Sequence, residues 1–513
     1  MTRVPSLAEL AREVVDPLER METKDRWGVR VREVGTVLSV GKGVARVSGM
    51  AGVGIEDMVM FEGGVHGLVL NLDRDSVGVV LLGDEEHLEA GSEVWPLGHP
   101  VDVPVGAEVL GRVFDPLGTA LDGGRSIRGT RTRPAERAAP SIMARSPVRE
   151  PLQTGLRVVD ALVPVGRGQR ELIVGDRQTG KTSIAIDTII NQRDYDVVCV
   201  YCAIGQRAAS VAGVVERLRE EGALEYTAVV VASGQDAPGL QYMAPYAATS
   251  VAEFFRDRGD DALIVYDDLT KHARAYRELS LLLRRPPGRE GYPGDIFHLH
   301  SRLLERATRL REERGGGSLT ALPIVETQES NISAYIPTNL ISITDGQVFL
   351  SPALFRKGII PAVDVGRSVS RVGGDAQLPA YRSVVRDLRL SYSQFQELEV
   401  FSRFASQLDE ETRKSLERGR RIREALKQDE HQPLSPCAQL AVLLSVTRGV
   451  LDPVSLADMD SAVRKLQKEV PDRLPDLCRK IHDAESLDDE ALDTLVREAA
   501  DLLDVPVPEQ EDE

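Results

Sequence analysis

Hydrophobic and polar positions change rhythm twice along this chain, and each change marks a different architecture. From about Val29 to Pro96, short β-rich runs such as 35–40, 44–47 and 77–82 alternate with glycine turns at Gly41-Lys42-Gly43 and Gly63-Gly64, which predicts a small barrel or sandwich. After about Pro100, strand-like runs alternate with helical ones: 171–175, then 181–192, then 197–204, then 208–221. This βαβα rhythm predicts a parallel sheet with helices packed on its faces. Beyond about residue 384 the strands stop. Phe395, Leu398, Phe401, Phe404 and Leu408 recur at helical spacing, and 437–449 and 488–503 also read as helices. Ahead of the β-rich part, residues 6–22 read as an amphipathic helix that opens on a Ser6/Glu9 capping box and is bent or ended by Pro17. The acidic, proline-bearing stretch from Pro506 to Glu513 is too polar to be buried and is expected to fray. The expected divisions are therefore a helical tail at 1–28, a β-barrel at 29–97, an α/β domain at 98–383 and a helical domain at 384–513.

Composition narrows this picture. A chain of 513 residues, 42% hydrophobic and 28% charged, can form two or three domains, each with its own core. No stretch approaches the roughly 18 to 20 apolar residues of a membrane-spanning helix, and the first thirty residues are too charged for a signal peptide. With 63 Lys and Arg against 80 Asp and Glu, the formal charge of -17 disfavours nucleic acid as a partner. Four cysteines are too few and too scattered for a disulfide framework, which suits a reducing compartment. Cys199 and Cys202 sit at odd separation in a strand-like run, so their thiols should enter opposite faces as core residues. His298 and His300 lack a third ligand in view and are expected to pack rather than bind a metal.

Chemistry enters with Gly175-Asp176-Arg177-Gln178-Thr179-Gly180-Lys181-Thr182, which fits the pattern G-x-x-x-x-G-K-[ST] between the apolar run Leu172-Ile173-Val174 and a helix. Glycines let backbone N–H groups turn inward around phosphate oxygens, and the helix N-terminus adds its positive end. Lys181 neutralises the outer phosphates, and the Thr182 hydroxyl can ligate magnesium. A second apolar run, Ala262 to Tyr266, ends in Asp267 and Asp268. Asp267 is expected to hold the magnesium through water, the competing reading being a helix cap. Hydrolysis by such ATPases commonly needs a carboxylate at the end of a neighbouring strand, yet the run after the phosphate-loop helix ends Ala203-Ile204-Gly205-Gln206. The Gln206 amide can hydrogen-bond a magnesium-bound water but cannot accept a proton.

On these residues the chain resembles the alpha-subunit family of F-type ATP synthases from about residue 30 to about residue 450. The resemblance is carried by Gln153-Thr154-Gly155, 166–173, the whole phosphate loop, Tyr266-Asp267-Asp268-Leu269, 282–290, 292–295, 299–307, 315–323, 341–347 and 368–373. It implies a β-barrel crown, a central RecA-like P-loop domain with a mainly parallel sheet, and a helical C-terminal domain. It further implies a ring of three alpha and three beta chains around a gamma stalk, with the peripheral stalk (delta and b) meeting the N-terminus. In that family alpha holds Mg-ATP or Mg-ADP without turning it over, and beta carries a glutamate where Gln206 stands. Arg371 matches the arginine that reaches in trans into beta's catalytic site, and Pro361 and Gln428 match positions near the base.

The chain departs from the family around the base. Ile360 stands where an arginine usually precedes Pro361, and Glu430 replaces a second glutamine. Asp364 and Arg367 add charges near Arg371. These departures mark a divergent branch of the kind found as a second ATPase set in some bacteria. The expected place is peripheral, on the cytoplasmic face of the bacterial inner membrane through the Fo sector. Two other readings compete: a catalytic ring ATPase, of beta or secretion-motor type, which would need a carboxylate in place of Gln206, and a hexameric RNA translocase, which the net charge opposes.

Overall fold

In the computed structural model, which describes residues 33–127, 131–402 and 409–507, the first β-rich part closes on itself. Its strands are β1 (Gly35–Gly41), β2 (Val44–Ser48), β3 (Asp57–Phe61), β4 (His66–Leu72), β5 (Val77–Leu81) and β6 (Glu93–Pro100). They form an antiparallel barrel in the order β1-β2-β5-β4-β3-β6, closed by pairing of Gly35 with Val94. Closure leaves no exposed edge, and alternating residues such as Val37, Val47, Val59, Phe61 and Val79 fill the interior. The expected helix at 6–22, the tail beyond 507, and Phe404 and Leu408 lie outside the described residues.

Next come two small antiparallel pairs, β7 (Asp102–Val105) with β9 (Arg131–Pro134) and β10 (Pro151–Leu152) with β11 (Val165–Gly166). The main sheet uses β8 (Val113–Phe114), β12 (Glu171–Gly175), β13 (Val197–Gln206), β14 (Thr227–Ser233), β15 (Asp261–Asp267), β16 (Ser318–Glu326), β17 (Gly346–Leu350) and β18 (Val369–Ser370). Its order is β18-β17-β12-β16-β15-β13-β14-β8, and every pairing is parallel except β17 with β18. Helices cover both faces, so β12 is buried along its whole length, as the continuous apolar run requires. Ile173, Tyr201 and Leu263 enter one core while Leu172, Val200 and Ile264 enter the other. Cys199 and Cys202 divide in the same way, on opposite faces and both buried.

The C-terminal helices begin with Pro379–Ser402 and Glu410–Ala425 and centre on Pro436–Thr447, all of whose residues are buried. Around it lie Met459–Arg473, Pro475–His482 and Asp489–Leu503. Phe395 is buried, as its spacing predicts, and Leu398 packs against the same core. The cysteine expectation needs correction, because Cys437 and Cys478 form a disulfide across 41 residues. Distance in sequence hid the pair; docking of helix Pro475–His482 on Pro436–Thr447 brings the two together.

The parts are fastened by polar contacts that are partly or fully buried. The Arg285 guanidinium donates to Asn71 Oδ1 at 2.8 Å and to the Leu70 carbonyl of the barrel. On the other side, fully buried Arg157 donates to the Ala425 carbonyl, and Gln439 Nε2 donates to Asp160 Oδ2 at 2.8 Å.

His300 is fully buried, as expected, whereas His298 on the same helix is exposed. His300 Nε2 lies 3.3 Å from His272 Nδ1, and His272 Nε2 lies 3.1 Å from the Tyr242 carbonyl oxygen. Burial lowers His272 from 6.5 to about 4 and drives His300 well down. As pH falls from 6.5 toward 4, the unfolded chain takes up a proton that folded His272 refuses. Stability is therefore lost over that window, by about 3 kcal/mol from His272 alone. The urea midpoint of His272→Gln should fall less between pH 7 and pH 5 than that of the unaltered protein. Parallel falls would show that His272 is not the cause.

Candidate functional site

The phosphate loop occupies the carboxyl end of β12, where a parallel sheet opens toward ligands. Helix Lys181–Ile190 starts from Gly180 in the left-handed region (φ 91°) with no side-chain cap, and Gln178 also has positive φ (58°). A Cβ at Gly180 would meet no atom within 4 Å, so the loop is open at that point. An uncapped helix N-terminus behind a concave loop suits an anion.

The loop residues divide the work. Asp176 braces the loop: its Oδ1 accepts hydrogen bonds from Thr327 Oγ1 at 2.6 Å and from the Ser330 N–H at 2.9 Å. Thr179 Oγ1 donates to the Asp176 carbonyl at 2.8 Å, and Gly175 closes β12. Arg177 projects outward and pairs with Glu326 at 3.0 Å. Lys181 is buried, its Nζ 2.5 Å from the Asp176 carbonyl oxygen, and burial lowers its pKa.

Thr182 and Asp267 meet, with Thr182 Oγ1 donating to Asp267 Oδ2 at 2.8 Å. Tyr201 OH donates to the same oxygen at 2.8 Å, from a neighbouring strand. A hydroxyl and a carboxylate are hard oxygen donors that fit magnesium, with the carboxylate able to act through water. The two adjacent carboxylates have different tasks. Asp268 caps helix Leu269–Leu282 by accepting from the Lys271 N–H at 2.8 Å, and burial pushes its pKa up to about 7.

Gln206 lies between opposite charges. Its Nε2 donates to Asp267 Oδ1 at 2.6 Å while its Oε1 accepts from Lys271 Nζ at 2.6 Å. Both ends of the amide are in use, and a carboxylate in its place would face Asp267 directly. Lys271 and Tyr201 were not singled out from sequence. The only signal for Lys271 was its place four residues after Asp267, in the first turn of the following helix.

A narrow cleft runs along the phosphate-loop helix between Ser183, Phe355, Ile360, Pro361 and Glu430. Glu430 is exposed at its edge and accepts from Ser183 Oγ at 3.1 Å. Gln428 lines the cleft, but its side chain is committed elsewhere. Its Oε1 accepts from the Arg157 N–H at 3.0 Å and its Nε2 donates to the Gly155 and Gln432 carbonyls, both at 2.8 Å. Gln428 thus shapes the cleft through the backbone around it. Buried Asp187, another residue that sequence reading passed over, accepts from the His431 N–H at 3.0 Å.

Arg371 is not part of this constellation. It follows β18, which pairs Ser370 with Gly346 at the start of β17, whereas the phosphate loop follows Gly175 at the other end, level with Leu350. Exposed Arg371 therefore lies at the opposite end of the sheet from this chain's own phosphate loop. Its guanidinium donates to the Thr344 carbonyl at 3.1 Å and the Ile341 carbonyl at 3.4 Å, at the C-terminus of helix Tyr335–Ile343, where a cation is favoured. Arg367 stacks on the Phe349 ring at 3.8 Å to its centroid, and the Asp364 N–H donates to the Phe349 carbonyl at 2.8 Å.

Among the described residues no helix is long and apolar enough to cross a membrane, and no group of three or more His, Cys, Asp or Glu could hold a metal ion. Three stretches match sequence models of one family. Residues 30–98 match the β-barrel domain of the ATP synthase alpha/beta family, 155–370 its nucleotide-binding domain and 377–502 its C-terminal domain. The chain is 59% identical over 492 residues to ATP synthase subunit alpha 2 of Syntrophotalea carbinolica, covering 96% of this chain and 94% of that one. It is 60% identical over 456 residues to ATP synthase subunit alpha 2 of Syntrophus aciditrophicus, covering 89% and 88%. With ATP synthase subunit alpha 1 of a Marinomonas species it shares 59% over 463 residues, covering 90% and 91%. The three matched stretches together cover most of this sequence, and the chain belongs to the ATP synthase alpha/beta family.

Proposed function

We propose that this chain is the nucleotide-holding, catalytically silent alpha-type subunit of a rotary ATP synthase. It binds Mg-ATP or Mg-ADP on 175–182, with Thr182 and Asp267 holding the ion, and lends Arg371 to the catalytic site of a neighbouring beta subunit. The bound magnesium would neutralise phosphate charge; this chain's own residues bind, orient and screen the nucleotide.

The observation that carries this reading is Gln206, whose amide is held between Lys271 and Asp267. A group donating to one carboxylate and accepting from one ammonium is no base for taking a proton from water. The position of Arg371 supports the second half. A guanidinium at the far end of the sheet cannot serve this chain's own phosphates, but it can meet a nucleotide presented by an adjacent subunit. The partners are then beta subunits alternating with this one around a gamma stalk, a peripheral stalk (delta and b) at the N-terminus, and the membrane sector on the cytoplasmic side. Nucleic acid is not among them, in keeping with the charge of -17.

The purified protein is expected to bind Mg-ATP in equilibrium dialysis while releasing negligible phosphate. Steady turnover that survives removal of every trace of beta would overturn the silent-subunit reading.

A further inference from the structure

At the start of β12, one buried carboxyl has no task in the nucleotide site. Glu171 is fully buried; its Oε2 accepts a hydrogen bond from Gln169 Nε2 at 2.7 Å, while its Oε1 has no hydrogen-bond partner. Desolvation raises its pKa well above the usual carboxylate range. A half-satisfied buried carboxyl costs stability, so a functional reason for it is worth seeking.

Sheet register shows what it touches. Glu171 pairs with Gly346 across β12 and β17, and Gly346 pairs with Ser370 across β17 and β18, so the three residues form one row ending next to Arg371. Gly346 leaves the middle of that row empty. A Cβ there would lie 2.5 Å from Glu171 Oε2 and closer still to the Val369 carbonyl oxygen, so the carboxyl occupies the space a side chain would need. Gln169 then ties the two ends of the row, donating to Glu171 Oε2 and, at 3.2 Å, to Ser370 Oγ. Ser370 Oγ also donates to the Pro164 carbonyl at 2.7 Å and accepts from the Gly373 N–H at 3.1 Å. The Arg371 N–H itself is fixed on the Asp345 carbonyl at 2.9 Å, one residue before Gly346.

We propose that Glu171 is a positioning residue for Arg371. Its buried carboxyl, lying over Gly346 and bridged by Gln169 to Ser370, sets the height and rotation at which the backbone leaves β18, and so where the guanidinium points. The inference rests on the in-trans role of Arg371 proposed above. A shift of about 1 Å in a group that meets a transition state costs on the order of 100-fold in rate. The strand end carrying Arg371 is only two residues long and stands at the sheet edge, where strand pairing alone constrains it weakly.

The test uses alpha-beta rings reassembled with this chain, and steady-state multisite ATP hydrolysis per assembled ring. Glu171→Gln keeps the shape and an acceptor for Gln169, and should hold kcat within about twofold. Glu171→Ala should lower kcat about tenfold or more at a KM within about twofold, with ring assembly and nucleotide retention by this subunit unchanged. A merely structural role would instead lower the yield of rings and leave turnover per ring intact. If Glu171→Ala does not assemble, Gln169→Ala removes the bridge while leaving the carboxyl and carries the same expected loss. Arg371→Ala is measured alongside. Unchanged turnover in that variant overturns the in-trans role and this inference with it. A collapse there, with wild-type turnover per ring in Glu171→Ala or Gln169→Ala, overturns the positioning role alone.

Discussion

Replacing Arg371 by alanine in a reassembled alpha-beta ring is expected to lower multisite hydrolysis by about three orders of magnitude, the lower end of what guanidinium groups supplied in trans contribute. Mg-ATP binding to this chain should stay within about twofold, because Arg371 and the phosphate loop stand at opposite ends of the sheet. Arg371→Lys should recover little, since an ammonium lacks the planar fork that spans two phosphoryl oxygens. In the isolated subunit the guanidinium rests on the Thr344 and Ile341 carbonyls, bonds of 3.1 and 3.4 Å to neutral acceptors that a phosphate can outcompete. Turnover and binding measured on the same preparations decide the matter. Equal loss of both would place Arg371 in this chain's own site.

The second large effect concerns Lys181. Lys181→Ala should weaken Mg-ATP binding by about 100-fold or more, because charge-assisted hydrogen bonds to phosphate contribute about 1.5 to 3 kcal/mol each and an ammonium has more than one N–H to offer. The Nζ already lies within the loop, 2.5 Å from the Asp176 carbonyl oxygen, so little rearrangement is needed to engage an anion. Loop geometry should survive loss of the Lys181 bond to the Asp176 carbonyl, since the Asp176 side chain stays braced by Thr327 and Ser330. Calorimetry or equilibrium dialysis checks this, and an unchanged affinity would remove the phosphate-binding role of the loop.

Much of the site was legible in the amino-acid order because its signals are local. Gly175 and Gly180 at fixed spacing, an apolar run before them and a helix after them specify a phosphate loop without reference to distant residues. The same holds for Asp267 at the end of a buried strand and for Gln206 at the end of its neighbour. Parallel strands carry their functional residues at their carboxyl ends, so reading the ends is enough. Less was legible in the cleft beside the phosphate-loop helix. Gln428 was expected among the nucleotide contacts, yet both ends of its amide are bonded to backbone groups of 155, 157 and 432, brought close only when the helical domain docks. Asp187 and His431 meet through the same docking.

The sequence by itself determined the order of barrel, α/β domain and helical domain, the strand-loop-helix placement of 175–182, and an amide, Gln206, at the end of the strand that follows. Periodicity, glycine spacing and strand ends act over a few residues, and local backbone preference enforces them. Tertiary structure alone decided that Arg371 sits at the far end of the sheet from the loop, that Cys437 and Cys478 bond, and that Glu171 lies over Gly346 beside Ser370. Each of these depends on register or docking between segments far apart in sequence, and those follow from burying whole faces together rather than from any local pattern.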